Sequence, residues 1–210
     1  MRFDMDKIRV LIADDHAIVR TGLSMLLEAQ GGFDVVGEAE NGTDAVRLAL
    51  RLKPDVVVMD LMMPEMDGIA ATREIKAKAA DAKVLILTTS TVSDDLSRAL
   101  DAGADGAIMK SAANAELVAA IRDIAAGKRT VSPEISRLIS QDPPLPELTP
   151  RQKDILASMV RGLTNKDIAR ELGIRSDGVN QHIMAILEKL GAANRTEAVA
   201  IALRKQLLKI

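Results

Sequence analysis

Five short apolar runs, at residues 8–13, 33–37, 56–59, 84–87 and 107–109, alternate with five stretches whose apolar residues recur at helical spacing. Ile18, Leu23, Leu26 and Leu27 mark the first stretch, and Ala45, Val46, Leu48 and Ala49 the second. Ile69 and Ile75 mark the third, Leu96, Ala99 and Leu100 the fourth, and Leu117, Val118, Ile121 and Ile124 the fifth. Apolar runs too short for helices, each followed by a helical pattern, predict βα units and an α/β fold with a parallel sheet covered on both faces. Gly31-Gly32, Lys53-Pro54 and Gly103 fall at the predicted helix ends, where the chain must reverse.

Composition closes several other routes. The absence of Cys excludes disulfides, thiolate metal sites, iron–sulfur clusters and a cysteine nucleophile. His16 and His182 are too few for a multi-histidine metal centre. With no Trp, no Tyr and only Phe3 and Phe33, the cores must be aliphatic, and a 48% apolar fraction is enough to build them. The N-terminus has no apolar signal core, and no stretch reaches the ~20 apolar residues of a membrane span. A soluble, cytoplasmic protein without a membrane partner is the expectation.

What ends each apolar run is more specific than the run itself. The first leads into Asp14-Asp15, the third into Asp60, the fourth into Thr88-Thr89 and the fifth into Lys110. In open α/β sheets, sites form at the carboxyl ends of the strands near the switch in strand order. Five strands in the order 2-1-3-4-5 bring these four endings together. The second strand is then left at an edge, and its Gly37-Glu38 ending brings nothing comparable. Three carboxylates held close repel one another and call for a cation. Mg²⁺ fits, because it takes oxygen ligands, few of them carboxylates. A Lys adds a point charge that pairs with a carboxylate or a phosphoryl group, and a Thr hydroxyl can donate to phosphoryl oxygens. These are parts for phosphoryl transfer onto a carboxylate nucleophile.

After residue 127 the alternation stops. Asp142-Pro143-Pro144-Leu145-Pro146 sustains neither helix nor central strand and reads as a semi-rigid linker. Residues 1–146 carry 17 Lys and Arg against 23 Asp and Glu, whereas residues 147–210 carry 11 against 7. An acidic part followed by a basic part points to different partners for each. The basic part reads as four helices: one opened by Thr149-Pro150-Arg151-Gln152, one capped by Thr164, one capped by Ser176, and one running over 194–209 from Asn194. The middle pair, joined by Gly173-Ile174-Arg175, fits a helix-turn-helix, and periodicity alone fits a plain helical bundle equally well.

Asp14-Asp15, the stretch from Met59 through Asp60, Met62, Met63 and Pro64 to Gly68, then Leu87-Thr88 and Lys110 resemble the receiver domain of two-component response regulators. That resemblance covers about residues 7–127. It implies a flavodoxin-like fold in which Asp60 accepts a phosphoryl group from a sensor histidine kinase. It further implies that Asp14, Asp15, Asp60 and the backbone carbonyl of Met62 hold Mg²⁺. Lys110 and Thr88 would stabilise the phosphoryl group, Thr88 as the switch hydroxyl. Ala107 stands where many receivers carry an aromatic ring, so a softer switch routed through aliphatic packing is expected.

Leu148-Thr149-Pro150-Arg151, the stretch from Gly162 to Ala169, Leu172-Gly173-Ile174 and Lys189-Leu190 resemble the LuxR-type output domain of the NarL/FixJ response regulators. The usual Thr-Val-Lys of its recognition helix is Gly178-Val179-Asn180 here. Lys166, Arg175, Asn180, Gln181, Met184 and Lys189 are the candidate contacts to promoter DNA, with Arg151 and Arg195 as further phosphate-binding candidates. His182 matches a common family position, with a packing or backbone role. Asn and Gln can read adenine bidentately. Loss of a Lys flattens the salt dependence of binding. Gly178 costs a helix roughly 1 kcal/mol relative to Ala.

The resulting expectation is a receiver at 1–127, a linker at 128–146 and an all-α, four-helix DNA-binding domain at 147–210. Phosphorylation would switch homodimerisation and DNA binding. The chain is expected not to be an enzyme beyond its own phosphorylation and dephosphorylation. The alternative is a phospho-receiver whose altered helix-turn-helix binds protein rather than specific DNA.

Overall fold

The computed structural model describes residues 7–143, 145–205 and 207–208, and separates into two compact units, residues 1–143 and 144–210. Phe3, Pro144 of the predicted linker and Lys209 of the last predicted helix lie outside the described residues.

In the first unit β1 (Ile8–Ala13), α1 (Ala17–Gln30), β2 (Phe33–Ala39), α2 (Gly42–Leu52), β3 (Val56–Met59), α3 (Gly68–Lys78), β4 (Lys83–Thr88), α4 (Ser93–Asp101), β5 (Gly106–Met109) and α5 (Asn114–Ala125) alternate strictly. The strands pair in parallel, and the register sets Ala13 beside Met59 and Thr88 beside Met109. The side chains of β1, β3, β4 and β5 are buried almost throughout, because helices cover both faces of the sheet. Leu11, Val57, Met59, Ile86, Leu96 and Ile75 fill one side, and Val10, Ile12, Val58, Leu85, Ile108 and Ile121 the other. Phe33 belongs to the second core, and the Arg122 guanidinium lies 5.2 Å from its ring centre.

Among the described residues the sheet has six strands, in the order β2-β1-β3-β4-β5-β6, rather than the five expected. The sixth, β6 (Thr130–Val131), pairs with β5 and is followed by α6 (Pro133–Gln141). Both lie within 128–146, where a linker was expected. A two-residue strand is too short to show alternation. The helix did carry its signals, Ser132 as N-cap, Pro133 in the first turn, and Ile135, Leu138 and Ile139 at helical spacing. Ile135 is fully buried in the core that holds Leu96 and Ala99 of α4, and Ser93 Oγ donates to Asp142 Oδ2 at 3.1 Å.

The second unit consists of α7 (Pro150–Val160), α8 (Asn165–Glu171), α9 (Ser176–Leu190) and α10 (Arg195–Arg204) around Ile155, Leu156, Ile168, Val179, Ile186 and Ala198. Thr149 and Gln152 form the capping box at the start of α7. Thr164 and Asn194 cap α8 and α10 through their side chains. Ser176 does not cap α9. It is already helical, and Arg175 occupies the N-cap position without a side-chain bond. An Arg side chain has donors and no acceptor, so it cannot take a bond from the α9 amides. Among the described residues no helix is long and apolar enough to cross a membrane.

Candidate functional site

The strand ends of the first unit converge. β1 delivers Asp14, β3 delivers Asp60, and β5 delivers Lys110, whose ammonium lies 2.6 Å from Asp14 Oδ2 and 2.9 Å from Asp60 Oδ2. Asp14 and Asp60 are buried and Lys110 is half-buried. Backbone bonds fix the heights of these residues. Asp60 N donates to Ala13 O at 2.8 Å, and Lys110 N donates to Thr88 O at 2.7 Å.

Gly68 opens α3 against this floor. A Cβ at that position would lie 2.0 Å from the Asp60 carbonyl oxygen, so only glycine lets the loop after β3 fold back beneath the carboxylate. Asp67 caps the helix by accepting from Ala70 N, which ties the Asp-Gly pair to a single geometry.

Burial pushes the Asp60 carboxyl above its usual value of 3.8, and the Asp14 charge adds to the rise, although the Lys110 contact opposes both. Burial alone would lower the Lys110 ammonium. Its pairing with the Asp14 and Asp60 carboxylates outweighs burial and holds that group above its usual value of 10.5. The ammonium therefore stays charged and keeps two buried carboxylates together.

Asp14, Asp15, His16 and Asp60 each offer a ligand atom, all within 4.8 Å of one another. Asp15 is exposed, and its Oδ1 lies 2.7 Å from His16 Nδ1. Asp14 Oδ2 is buried without a hydrogen bond of good geometry, its Lys110 contact being an ion pair outside hydrogen-bonding angles. A buried carboxylate oxygen of this kind, beside two further carboxylates, suits a small hard cation. The donor set therefore fits Mg²⁺.

Thr88 is fully buried, and its Oγ1 accepts from Ser90 N at 2.9 Å, so the hydroxyl organises the turn after β4. Met62 is 63% exposed on the loop after β3. Ala107 sits inside the sheet, paired with Val131, and its carbonyl accepts from Ser132 N at 3.0 Å. The place expected for a ring is closed by β6 and by the aliphatic core beneath α4 and α6.

Two contributors escaped the sequence reading. Arg20 is buried on α1 and donates to the Asp14 carbonyl at 2.8 Å, while pairing with Glu38 and Glu40. The end of β2, expected to bring nothing comparable to the other strand ends, thus supports Asp14 through Arg20. The available signal was a cation at a core-facing position of α1, six residues after Asp14. His16 is the other, since its backbone N–H donates to Asp14 Oδ1 at 2.9 Å.

In the second unit α8 and α9 form a helix-turn-helix, with the turn at 172–175. Asn180, Gln181 and Met184 are exposed on α9, and Lys166 and Arg175 are exposed beside it. Other cations proposed for phosphates are held within the unit. Lys189 Nζ donates to Glu147 O and Gln152 Oε1, Arg151 to Leu172 O, and Arg195 to Leu163 O. They join helices to one another, which spacing alone could not reveal. His182 is half-buried on α9.

Residues 10–122 match the family described as response regulator receiver domain, and residues 146–202 match bacterial regulatory proteins of the luxR family. The chain is 40% identical over 209 residues to the transcriptional regulatory protein LiaR of Bacillus subtilis, covering 96% of this chain and 99% of LiaR. The crystal structure of ChrA, a response regulator of a heme-sensing two-component system, matches 97% of this chain and 100% of its own, with 36% identity and a TM-score of 0.59. A structure of two RcsB dimers bound to two parallel DNAs matches 95% of this chain and 98% of its own, with 28% identity and a TM-score of 0.66.

Proposed function

The chain belongs to the response regulators that join a receiver domain to a luxR-family helix-turn-helix, and on that premise we propose that phosphorylation of Asp60 controls its binding to promoter DNA. The observation that carries this reading is the Lys110 ammonium, bridging two buried carboxylates at the ends of separate strands. Two desolvated carboxylates around one cation, at the carboxyl ends of strands in an open α/β sheet, are the arrangement a functional site takes there.

In this reading a sensor histidine kinase presents a phosphorylated imidazole. An Asp60 carboxylate oxygen attacks phosphorus, the P–N bond breaks, and the imidazole leaves with its electron pair. Lys110 pairs with the transferred phosphoryl oxygens. Thr88 gives up its bond from Ser90 N and turns its hydroxyl toward the new anion, which shifts the turn leading into α4. Asp14, Asp15, Asp60 and the Met62 carbonyl would hold Mg²⁺. When bound, that ion neutralises charge developing on the phosphoryl oxygens.

With Ala107 in place of a ring, the shift of Thr88 reaches α4 and α6 through backbone and aliphatic packing. The output is a change in homodimerisation, with Asn180, Gln181 and Met184 facing the major groove and Lys166 and Arg175 facing phosphates. A homodimer on DNA parallels the arrangement described for RcsB. A receiver over 1–143, which takes in β6 and α6 beyond the 1–127 expected, an output domain at 147–210 and a cytoplasmic location complete the proposal. The protein-interaction alternative is not favoured by the relatives.

Exposure of the full chain to acetyl phosphate with and without Mg²⁺, followed by intact-mass measurement, tests the site. Labelling should depend on Mg²⁺ and vanish in Asp60→Asn. Labelling that persists in that variant refutes the assignment.

A further inference from the structure

The second unit carries a hydrogen-bond relay that the proposed function leaves unused. Arg195, in the first turn of α10, donates from Nη2 to the Leu163 carbonyl at 2.6 Å and from Nη1 to Asn165 Oδ1 at 3.0 Å. Asn165, the first residue of α8, donates from Nδ2 to Asn180 Oδ1 at 2.6 Å. Asn180 lies exposed on α9.

The direction of this relay follows from its origin. A guanidinium has donors and no acceptor. Asn165 must therefore turn its amide oxygen toward Arg195, which leaves its NH₂ group for Asn180. Asn180 must in turn offer its oxygen to Asn165. A side-chain amide that could otherwise face either way is fixed at both steps by a group that cannot accept. The NH₂ of Asn180 is left to face solvent, with two N–H donors.

We propose that Asn180 reads the major groove as a donor-only group, selecting guanine over adenine, with Arg195 and Asn165 as the positioning residues that set its polarity. This rests on α9 being the recognition helix. Bidentate pairing with adenine needs both the amide oxygen and the NH₂ group. Here the oxygen is aimed at Asn165, so it does not face a base edge together with the NH₂ group, even though it keeps a second lone pair. Guanine presents N7 and O6, two acceptors side by side, whereas adenine presents one acceptor and one donor and cytosine a donor. A buttressed amide with two outward donors matches guanine. The expectation from residue type alone, that Asn180 favours adenine, is reversed by its neighbour.

Selection from random duplexes by the phosphodonor-treated full chain tests this, using the wild type, Asn165→Asp, Asn180→Asp and Asn180→Ala. The wild type should enrich a guanine in each half-site, and replacing it by 7-deazaguanine should weaken binding roughly tenfold. In Asn165→Asp the carboxylate still accepts from Arg195 and has no donor for Asn180. Asn180 must then turn its NH₂ inward and its oxygen outward, and the guanine should give way to adenine or cytosine. Asn180→Asp, which alters one exposed side chain, turns an acceptor outward and should select cytosine. Asn180→Ala should erase that column and keep the rest of the motif. A wild-type adenine at this column, or a guanine that Asn165→Asp and Asn180→Asp both leave unchanged, overturns the proposal. A motif with no column sensitive to position 180 overturns it while sparing the DNA-binding reading. Absence of any motif in the wild type overturns both.

Discussion

The two units hold their polar groups in opposite ways. In the receiver unit Asp14, Asp60 and Lys110 are withdrawn from water and each depends on the other two. In the helical unit the candidate reading groups Asn180, Gln181 and Met184 are exposed and uncharged, and Lys189, Arg151 and Arg195 are tied to backbone or amide oxygens. Charges taken out of water interact strongly, which suits a site that must bind and respond to a phosphoryl group. Groups left in water gain little from charge, and their selectivity depends on how neighbours orient them. The receiver site is therefore a property of its members together. The reading face depends on individual buttresses.

This contrast is sharpest under substitution. Lys110→Ala should destabilise the receiver transition by about 3–5 kcal/mol at neutral pH, because it leaves two buried carboxylates uncompensated. Adding Asp60→Asn should recover much of the loss, as read by urea unfolding. Because the ammonium is held above 10.5, its contribution is complete below that pH and lost as pH rises through the higher folded value. The wild-type receiver should weaken above pH 10.5 in a way that Lys110→Ala does not.

Ala107→Tyr should cost the receiver about 1–3 kcal/mol in thermal unfolding, since a ring has no space in the core closed by β6 and Ile135. An unchanged melting temperature would mean that this seat opens readily, and would restore an aromatic route for the switch. On the helical side, Lys166→Ala should leave stability within about 0.5 kcal/mol. It should lower the salt slope of DNA binding by about 1, measured by titration at several salt concentrations. A large loss of stability there would break the contrast. The smallest effect concerns Asp167. Its carboxyl is held below the usual 3.8, first by the Thr164 hydroxyl. Its support for the start of α8 is present above pH 3.8 and lost as pH falls through the lower folded value. Amide exchange at α8 should rise there before exchange at α9 does.

The sheet and the acidic site were legible because their signals repeat. Five of the strands are short apolar runs, and four of those runs end in residues with chemistry a site can use, Asp14, Asp60, Thr88 and Lys110. Helix starts at Thr149, Thr164 and Asn194 were legible from local capping chemistry. What escaped depends on contacts between distant segments. β6 is defined by its partner strand rather than by its own two residues. Arg20 reads as an ordinary helix cation until the fold brings the Asp14 carbonyl to it. Asn180 reads as an adenine-competent amide until Asn165 takes its oxygen. Sequence shows which donors and acceptors exist, and only the fold shows which of them are already engaged.

The pairing of β6 with β5 also bears on how this molecule can be divided. Without residues 130–131, the Gly106–Met109 strand would become an open edge, a template for strands from other molecules. Without α6, the seat of Ile135 would expose apolar surface alongside it. A receiver fragment cut after Gly127 should therefore self-associate. One cut after Pro143 carries its own edge protection, and the solubility boundary of the receiver lies 18 residues beyond Ala125, the end of the last helix of its doubly wound core.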